Sequence, residues 1–502
     1  MATEQFDVLI IGAGLSGIGA AYRLQTLCPT KRYAILEGRG DIGGTWDLFR
    51  YPGLRSDSDM FTLGYPFRPW QEAKAIADGD SILRYIKDTA TDAGIDQHIR
   101  FKQMVKSAAW SSHDALWTVQ VQHPESGALT TYRASFLYVC SGYYDYAGGY
   151  SPEFRGSAQF KGQMIHPQKW PENLDYTDKN VVVIGSGATA VTLVPAMADK
   201  ARKITMLQRS PSYIASLPAK DVIADVLRKV LPEQRAHSIV RWKNVLLTLG
   251  FFQFCRHAPG MARKLLRFGV KRALPAGYAV DTHFNPKYQP WDQRLCAVPN
   301  GDLFQALKSG KAEMVTEQID TFTETGIRLK SGEELPADII VTATGLKLQA
   351  CGGMHLEVDG VHVDIGDTLA YKGMMLSNVP NFALCVGYTN ASWTLRSDLA
   401  SAYVCRVLNY MDENGYKMCV ARQVGNSVEK RPLLDISAGY VLRAADVLPK
   451  QGPGAPWQLK QNYILDLFNL RYAPLEDGTL TFRHDPALGL TPRVVERAVS
   501  AA

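Results

Sequence analysis

Paired cysteines, long apolar runs and a large excess of charge are all missing from this sequence. The eight cysteines (Cys28, Cys140, Cys255, Cys296, Cys351, Cys385, Cys405 and Cys419) include no CxxC pair and sit mostly inside apolar runs. That pattern reads as reduced, buried thiols in a cytoplasmic protein and excludes a disulfide framework or a zinc site. No histidine pairs with Cys, Asp or Glu at metal-ligand spacing, so no metal is expected. The longest near-continuous apolar run, Val245 to Cys255, is broken by Thr248 and Gln253, and it is too short for about 30 Å of hydrocarbon. The polar start, Met1 to Phe6, fits no signal peptide. Lys and Arg total 55 against 49 Asp and Glu, a surplus of +6 that is weak for a nucleic-acid binder. What remains is ordinary globular composition, 46% hydrophobic and 21% charged. At about 150 residues per domain, the length predicts two to four domains.

The charge is unevenly placed. Residues 228–272 hold eleven Lys or Arg and one acid, Glu233, a local +10 that leaves the rest of the chain at −4. Within them Arg263, Lys264, Arg267, Lys271 and Arg272 interleave with Leu265, Leu266, Phe268 and Val270. This is the pattern of a basic amphipathic helix: a solvated face packed on its domain, the reading favoured here, or peripheral contact with an anionic membrane surface.

Chemistry enters with two glycine turns. Val8-Leu9-Ile10-Ile11, a buried-strand pattern, runs into Gly12-Ala13-Gly14-Leu15-Ser16-Gly17, a helical stretch, and a second strand, Tyr33 to Leu36, ending at Glu37. Gly12 permits the tight turn, Gly14 the approach of a pyrophosphate, and Gly17 close helix–strand packing. The helix N-terminus offers N–H groups to phosphates, and Glu37, 20 residues past Gly17, is placed for ribose hydroxyls. The pattern repeats at Val181 to Ile184 followed by Gly185-Ser186-Gly187-Ala188-Thr189-Ala190. Its second strand, Ile204 to Leu207, ends on Gln208-Arg209-Ser210 without an acid. Arg209 can pair with a 2′-phosphate, so this site should prefer NADPH; the alternative is a plain surface arginine at a strand end. An acid-ended first site suits FAD. Two such sites imply electron traffic between two cofactors.

A disulfide-cleaving flavoenzyme would need a cysteine pair after the first unit, but residues 38–60 contain none. Instead, Phe160-Lys161-Gly162-Gln163-Met164-Ile165-His166-Pro167-Gln168-Lys169-Trp170-Pro171 lies between the two motifs. This run resembles the FxGxxxHxxxWP fingerprint of type I Baeyer–Villiger flavin monooxygenases. Gly43-Gly44-Thr45-Trp46-Asp47, Arg50 to Asp59, Trp291-Asp292-Gln293-Arg294, Ala343-Thr344-Gly345 and Tyr388 to Thr394 are similar to the ethionamide-activating subgroup.

The resemblance implies a reaction in which NADPH reduces FAD and O2 adds to the flavin C4a position. The deprotonated peroxyflavin then converts ketones to esters, with S-oxygenation of sulfides or thioamides alongside. It places the catalytic cation at Arg294, which stabilises charge and does not act as a general acid; a structural salt bridge is the plainer reading. It places the partner carboxylate at Asp57. The turn-rich local run leaves Asp57 and Asp59 equivalent, and family register selects Asp57. It also implies NADP contacts at Arg55 and Ser56, and FAD contacts at Ser16, Gly44, Thr45, Trp46, Asp47 and Val105. His166 is read as part of the fingerprint, not as a catalyst. Many relatives carry Lys before the catalytic Arg; here it is Gln293, so NADPH preference rests more heavily on Arg209 and Ser210, with weaker discrimination against NADH expected. Two alternatives stand beside this reading: a flavin N- or S-oxygenase limited to soft nucleophiles, and a nucleotide-binding redox sensor.

The expected fold is α/β, with two Rossmann-like dinucleotide-binding domains and a helical insertion. Residues 1–148 and 346–502 would form a split FAD-binding domain. Residues 149–213 and 290–345 would form the NADP-binding domain, and 214–289 the insertion. Trp457 and Asn462 are expected to face the substrate pocket.

Overall fold

In the computed structural model the described residues are 3–423 and 428–485. The final part of the expected FAD-binding domain, 486–502, lies outside them. β1 (Glu4–Ile11) leads into α1 (Leu15–Leu27) and then β2 (Tyr33–Leu36), parallel to β1 with Val8 opposite Tyr33 and Ile11 opposite Leu36. Val8, Leu9 and Ile10 are fully buried, as a strand covered on both faces requires. The turn between β1 and α1 depends on Gly12, at φ +103°, and on Gly17. A Cβ on Gly17 would stand 1.9 Å from the Gly12 carbonyl oxygen. Gly17→Ala is therefore expected to destabilise the chain by about 1–3 kcal/mol, read as a lowered urea midpoint.

The sheet grows through β3 (Ile99–Arg100), β4 (Met104–Ser111), β5 (Leu116–Gln122) and β6 (Leu129–Val139). β4, β5 and β6 form an antiparallel meander, and β6 closes against β1 in parallel. A second sheet follows, built from β7 (Gln163–Ile165), β8 (Asn180–Ile184), α2 (Ala188–Met197), β9 (Lys203–Gln208), β10 (Ala312–Thr316) and β11 (Ile339–Thr342). Its order is β10-β9-β8-β11-β7, all parallel. The chain then returns to the first sheet with β12 (His355–Val358), β13 (Val361–His362) and β14 (Phe382–Leu384). The first sheet reads β13-β12-β4-β5-β6-β1-β2-β3, with β14 also on β6. This is an α/β fold with two Rossmann-like units.

Between β9 and β10 the chain leaves the second sheet. Ile214–Leu217 forms a strand parallel to Cys296–Pro299, where the sequence reading expects helix throughout 214–289. Four residues are too few for an alternation to show. Three helices follow: α3 (Val222–Val230), α4 (Glu233–His257) and α5 (Pro259–Ala273). Asp221 caps α3 by accepting from the Ala224 amide at 3.1 Å and pairs with Lys243 of α4 at 2.5 Å. Buried Arg241 on α4 donates to the carbonyls of Phe61, Thr62 and Gly64 at 2.7, 3.2 and 2.8 Å. A buried guanidinium needs such acceptors, and here they seat the helices beside the first sheet. Two later helices, α6 (Trp393–Glu413) and α7 (Tyr463–Arg471), complete the layer over α1. Arg23 of α1 grips Asp398 of α6 with two bonds of 2.8 and 3.0 Å.

Candidate active site between two glycine turns

The C-terminal ends of β1 and β8, where open α/β sheets bind ligands, face one cavity of about 1340 Å³. On the first side it is walled by Gly12, Gly14, Ser16, Glu37, Gly44, Thr45, Trp46 and Val105. The Glu37 carboxylate accepts from the amides of Ala13 at 2.7 Å and Arg39 at 2.8 Å. Burial pushes its pKa above the usual carboxylate range. Each oxygen keeps a lone pair for a further donor such as a ribose hydroxyl. A Cβ on Gly44 would lie 3.1 Å from Gly14 Cα, so the lack of side chains lets these two stretches of backbone pack against each other at the cavity wall. Ser16 Oγ accepts from the Trp393 indole at 2.7 Å and keeps its own proton to donate.

Asp47 is turned away from this wall. Its buried carboxylate joins Arg39, at 2.5 Å, to Arg50, at 2.7 Å. It shapes the turn after Gly44 and does not flank the cavity as expected. Gly17 and Ala190 also lie off the cavity surface, at packing positions of their helices.

The second side is walled by Gly185, Ser186, Gly187, Ala188 and Thr189, with Arg209 and Ser210 exposed at the end of β9. Gly185 takes φ +145°. Ser186 and Ser212 share a hydroxyl bond of 2.8 Å. Arg209 makes no ion pair among the described residues and remains available for an anion. Arg55 and Ser56 reach the cavity wall but already have protein partners. The Arg55 guanidinium pairs with Asp302, and Ser56 donates to the Ser58 carbonyl at 2.7 Å.

Arg294 and Asp57 meet in the wall between the two halves, with Nη1 and Oδ2 3.4 Å apart. Asp57 raises the already high pKa of Arg294, overcoming the opposing effect of burial, and Tyr143, Tyr440 and Tyr144 add to the rise. This guanidinium is cationic at every working pH. Asp59 is occupied elsewhere: it caps Met60–Leu63 by accepting from the Thr62 amide at 3.0 Å and holds Asn244 at 2.9 Å. The choice that the sequence leaves open thus falls on Asp57.

Sequence reasoning missed Tyr143, Tyr144 and Tyr440, all beside the Arg294–Asp57 pair. Burial pushes each phenol up, so each stays protonated near neutrality. The first two had a usable signal, since the run Tyr143-Tyr144-Asp145-Tyr146 follows β6 with three residues between, at a ligand-binding end of the sheet. Tyr440, far along the chain, had none. Trp457 and Asn462 are not on the cavity. Trp457 packs on Tyr371, ring centres 5.9 Å apart, and Asn462 caps α7 through the Ile464 and Leu465 amides.

His166 spans β7 and the segment after β11. Its Nε2 donates to the Gly345 carbonyl at 3.2 Å, and its Nδ1 accepts from the Gln168 amide at 3.2 Å. Burial lowers its pKa, and the two bonds fix one neutral tautomer. A Cβ on Gly149 would sit 1.9 Å from the ring. The imidazole is a fitted brace with no place on the cavity wall.

Residues 64–413 match the model of flavin-binding monooxygenase-like proteins, and residues 10–77 that of the NAD(P)-binding Rossmann-like domain. The chain is 58% identical over 486 residues to the FAD-containing monooxygenase EthA of Mycobacterium tuberculosis, covering 97% of this chain and 99% of that protein. It is 54% identical over 481 residues to EthA of Mycolicibacterium smegmatis, covering 96% and 97%. Among solved structures it resembles an oxidized steroid monooxygenase bound to NADP, with TM-score 0.74, 21% identity and coverage of 95% and 99%. An open cyclohexanone monooxygenase gives TM-score 0.69 at 21% identity, covering 84% and 90%. With both glycine turns on one cavity and these likenesses spanning nearly its whole length, the chain belongs to the flavin-binding monooxygenase-like family and is a flavoprotein monooxygenase.

Proposed function

We propose that this enzyme uses FAD, NADPH and O2 to convert ketones to esters, with S-oxygenation of sulfides or thioamides as a second activity. The observation that carries this reading is the Arg294–Asp57 pair, set in the wall between the two glycine turns. The first half fits FAD: Gly12, Gly14 and Gly44 present bare backbone along the cavity wall for a pyrophosphate, and Glu37 is placed for the ribose. The second half fits NADPH: Gly185 and Gly187 take the pyrophosphate, and Arg209 with Ser210 takes the 2′-phosphate. When bound, the flavin supplies the activated oxygen atom. The protein's own contribution is electrostatic. Arg294 holds a fixed positive charge where negative charge develops and polarises the ketone oxygen, while Asp57 orients it. Tyr143 and Tyr144 bring neutral hydroxyls beside the pair.

Gln293 adds no cation beside Arg294, so selectivity for NADPH rests on Arg209. Arg209→Ala is expected to raise KM for NADPH about ten- to a hundredfold, the weight of a charged hydrogen bond, and to leave KM for NADH nearly unchanged. Steady-state NADPH and NADH oxidation measures both.

The proposed chemistry is tested by giving the FAD-loaded enzyme NADPH, air, 2-octanone and a thioether. Ester together with sulfoxide is expected. Sulfoxide without ester would replace this proposal with an oxygenase limited to soft nucleophiles.

A further inference from the structure

The three helices α3, α4 and α5 expose apolar side chains that the oxygenation site does not use. On α5 the buried stripe is Ala262, Leu266 and Val270. A second apolar stripe, Met261, Leu265 and Phe268, points outward, 65%, 54% and 62% exposed. A helix packed on a globular domain needs one apolar stripe, and here there are two. On α4 the same holds for Ile239, Trp242 and Leu246, which follow one another at helical spacing and are all exposed. α3 adds Val222, Val226 and Val230. Trp242 continues the surface to α7, its ring 5.8 Å from that of Tyr463. Exposed apolar surface on this scale marks an interaction site.

The charges around it decide the occupant. Lys243, Arg256 and Arg267 are neutralised by Asp221, Asp292 and Asp281, and Arg241 is buried on backbone carbonyls. Lys229, Arg235, Lys264, Lys271 and Arg272 are exposed and make no ion pair among the described residues. Two copies meeting through this face would bring these cations together. No described helix is long and apolar enough to cross a membrane. We infer that α3–α5 form a peripheral docking surface for an anionic lipid bilayer, in which the apolar stripes enter the acyl boundary and the free cations meet lipid phosphates. The inference stands apart from the oxygenation chemistry, since none of these side chains lines the cavity.

Flotation of the FAD-loaded enzyme with phosphatidylcholine vesicles, with and without phosphatidylglycerol, tests it. The enzyme is expected to float with the anionic vesicles, to do so less in high salt, and to stay behind with phosphatidylcholine alone. Lys264→Gln, Lys271→Gln and Arg272→Gln together should weaken binding about a hundredfold, at about fivefold per charge. Leu265→Asp with Phe268→Asp should remove it, while NADPH oxidation and the thermal unfolding profile stay as in the parent. Absence of binding to anionic vesicles by the parent protein, or binding unchanged in the triple-Gln variant, would overturn the inference. So would a concentration-dependent dimer that the two aspartates dissolve, which would make the occupant a second copy.

Discussion

Replacing Arg294 by alanine is expected to lower ester formation by about a hundred- to a thousandfold, the usual cost of deleting one preorganised charge at a reacting oxygen. NADPH should still be consumed, because Arg209 and both glycine turns are untouched, but oxygen would leave as hydrogen peroxide. Arg294→Lys keeps the charge and loses the planar fork facing Asp57, so an intermediate rate is expected. Ester, peroxide and NADPH measured in one reaction separate these outcomes. Asp57 raises the Arg294 pKa, so deprotonation of Arg294 will not appear in the pH–rate profile. A rate loss in Arg294→Ala accompanied by equal loss of NADPH consumption would instead mean a structural salt bridge.

The second large effect is expected at Asp466. Arg396 is 1% exposed and is paired with Asp466, while its Nη2 donates to the Lys372 carbonyl at 2.5 Å. Tyr388, a cavity-lining residue, donates its hydroxyl to the same Asp466 carboxylate at 2.7 Å. Asp466→Ala leaves a buried guanidinium without its counter-charge, which costs about 3–5 kcal/mol. The urea midpoint should fall accordingly. Replacing both partners with apolar residues of similar volume, Arg396→Met with Asp466→Leu, should recover much of the loss, because the cost lies in the orphaned charge. If Asp466→Ala unfolds at the parent's midpoint, the pair carries no such weight.

Both glycine turns could be read from the sequence because each follows a wholly apolar run, which a strand covered on both faces requires, and each permits a backbone approach that a Cβ would block. Arg294 and Asp57 were reachable only through family likeness. They lie far apart in the chain, and no periodicity joins them across the two halves of the cavity. Asp47 shows the converse failure: its neighbours Thr45 and Trp46 do wall the cavity, but Arg39 and Arg50 on either side draw its carboxylate inward. Arg55 and Ser56 reach the wall with their polar groups already held, Arg55 by Asp302 from far along the chain and Ser56 by the Ser58 carbonyl. The basic helices show how much depends on exposure. The interleaving of cations and apolar residues was visible, but the solvated-face reading overlooked that Met261, Leu265 and Phe268 form a stripe separate from the packed one.

Oxygen labelling shows directly whether the ester oxygen comes from O2. The FAD-loaded enzyme is given NADPH, 2-octanone and 18O2 in ordinary water, and the ester is examined by mass spectrometry. One labelled oxygen is expected in each ester molecule, with that product lost in Arg294→Ala. Ester without label, or no ester while a thioether is converted to labelled sulfoxide, would contradict it.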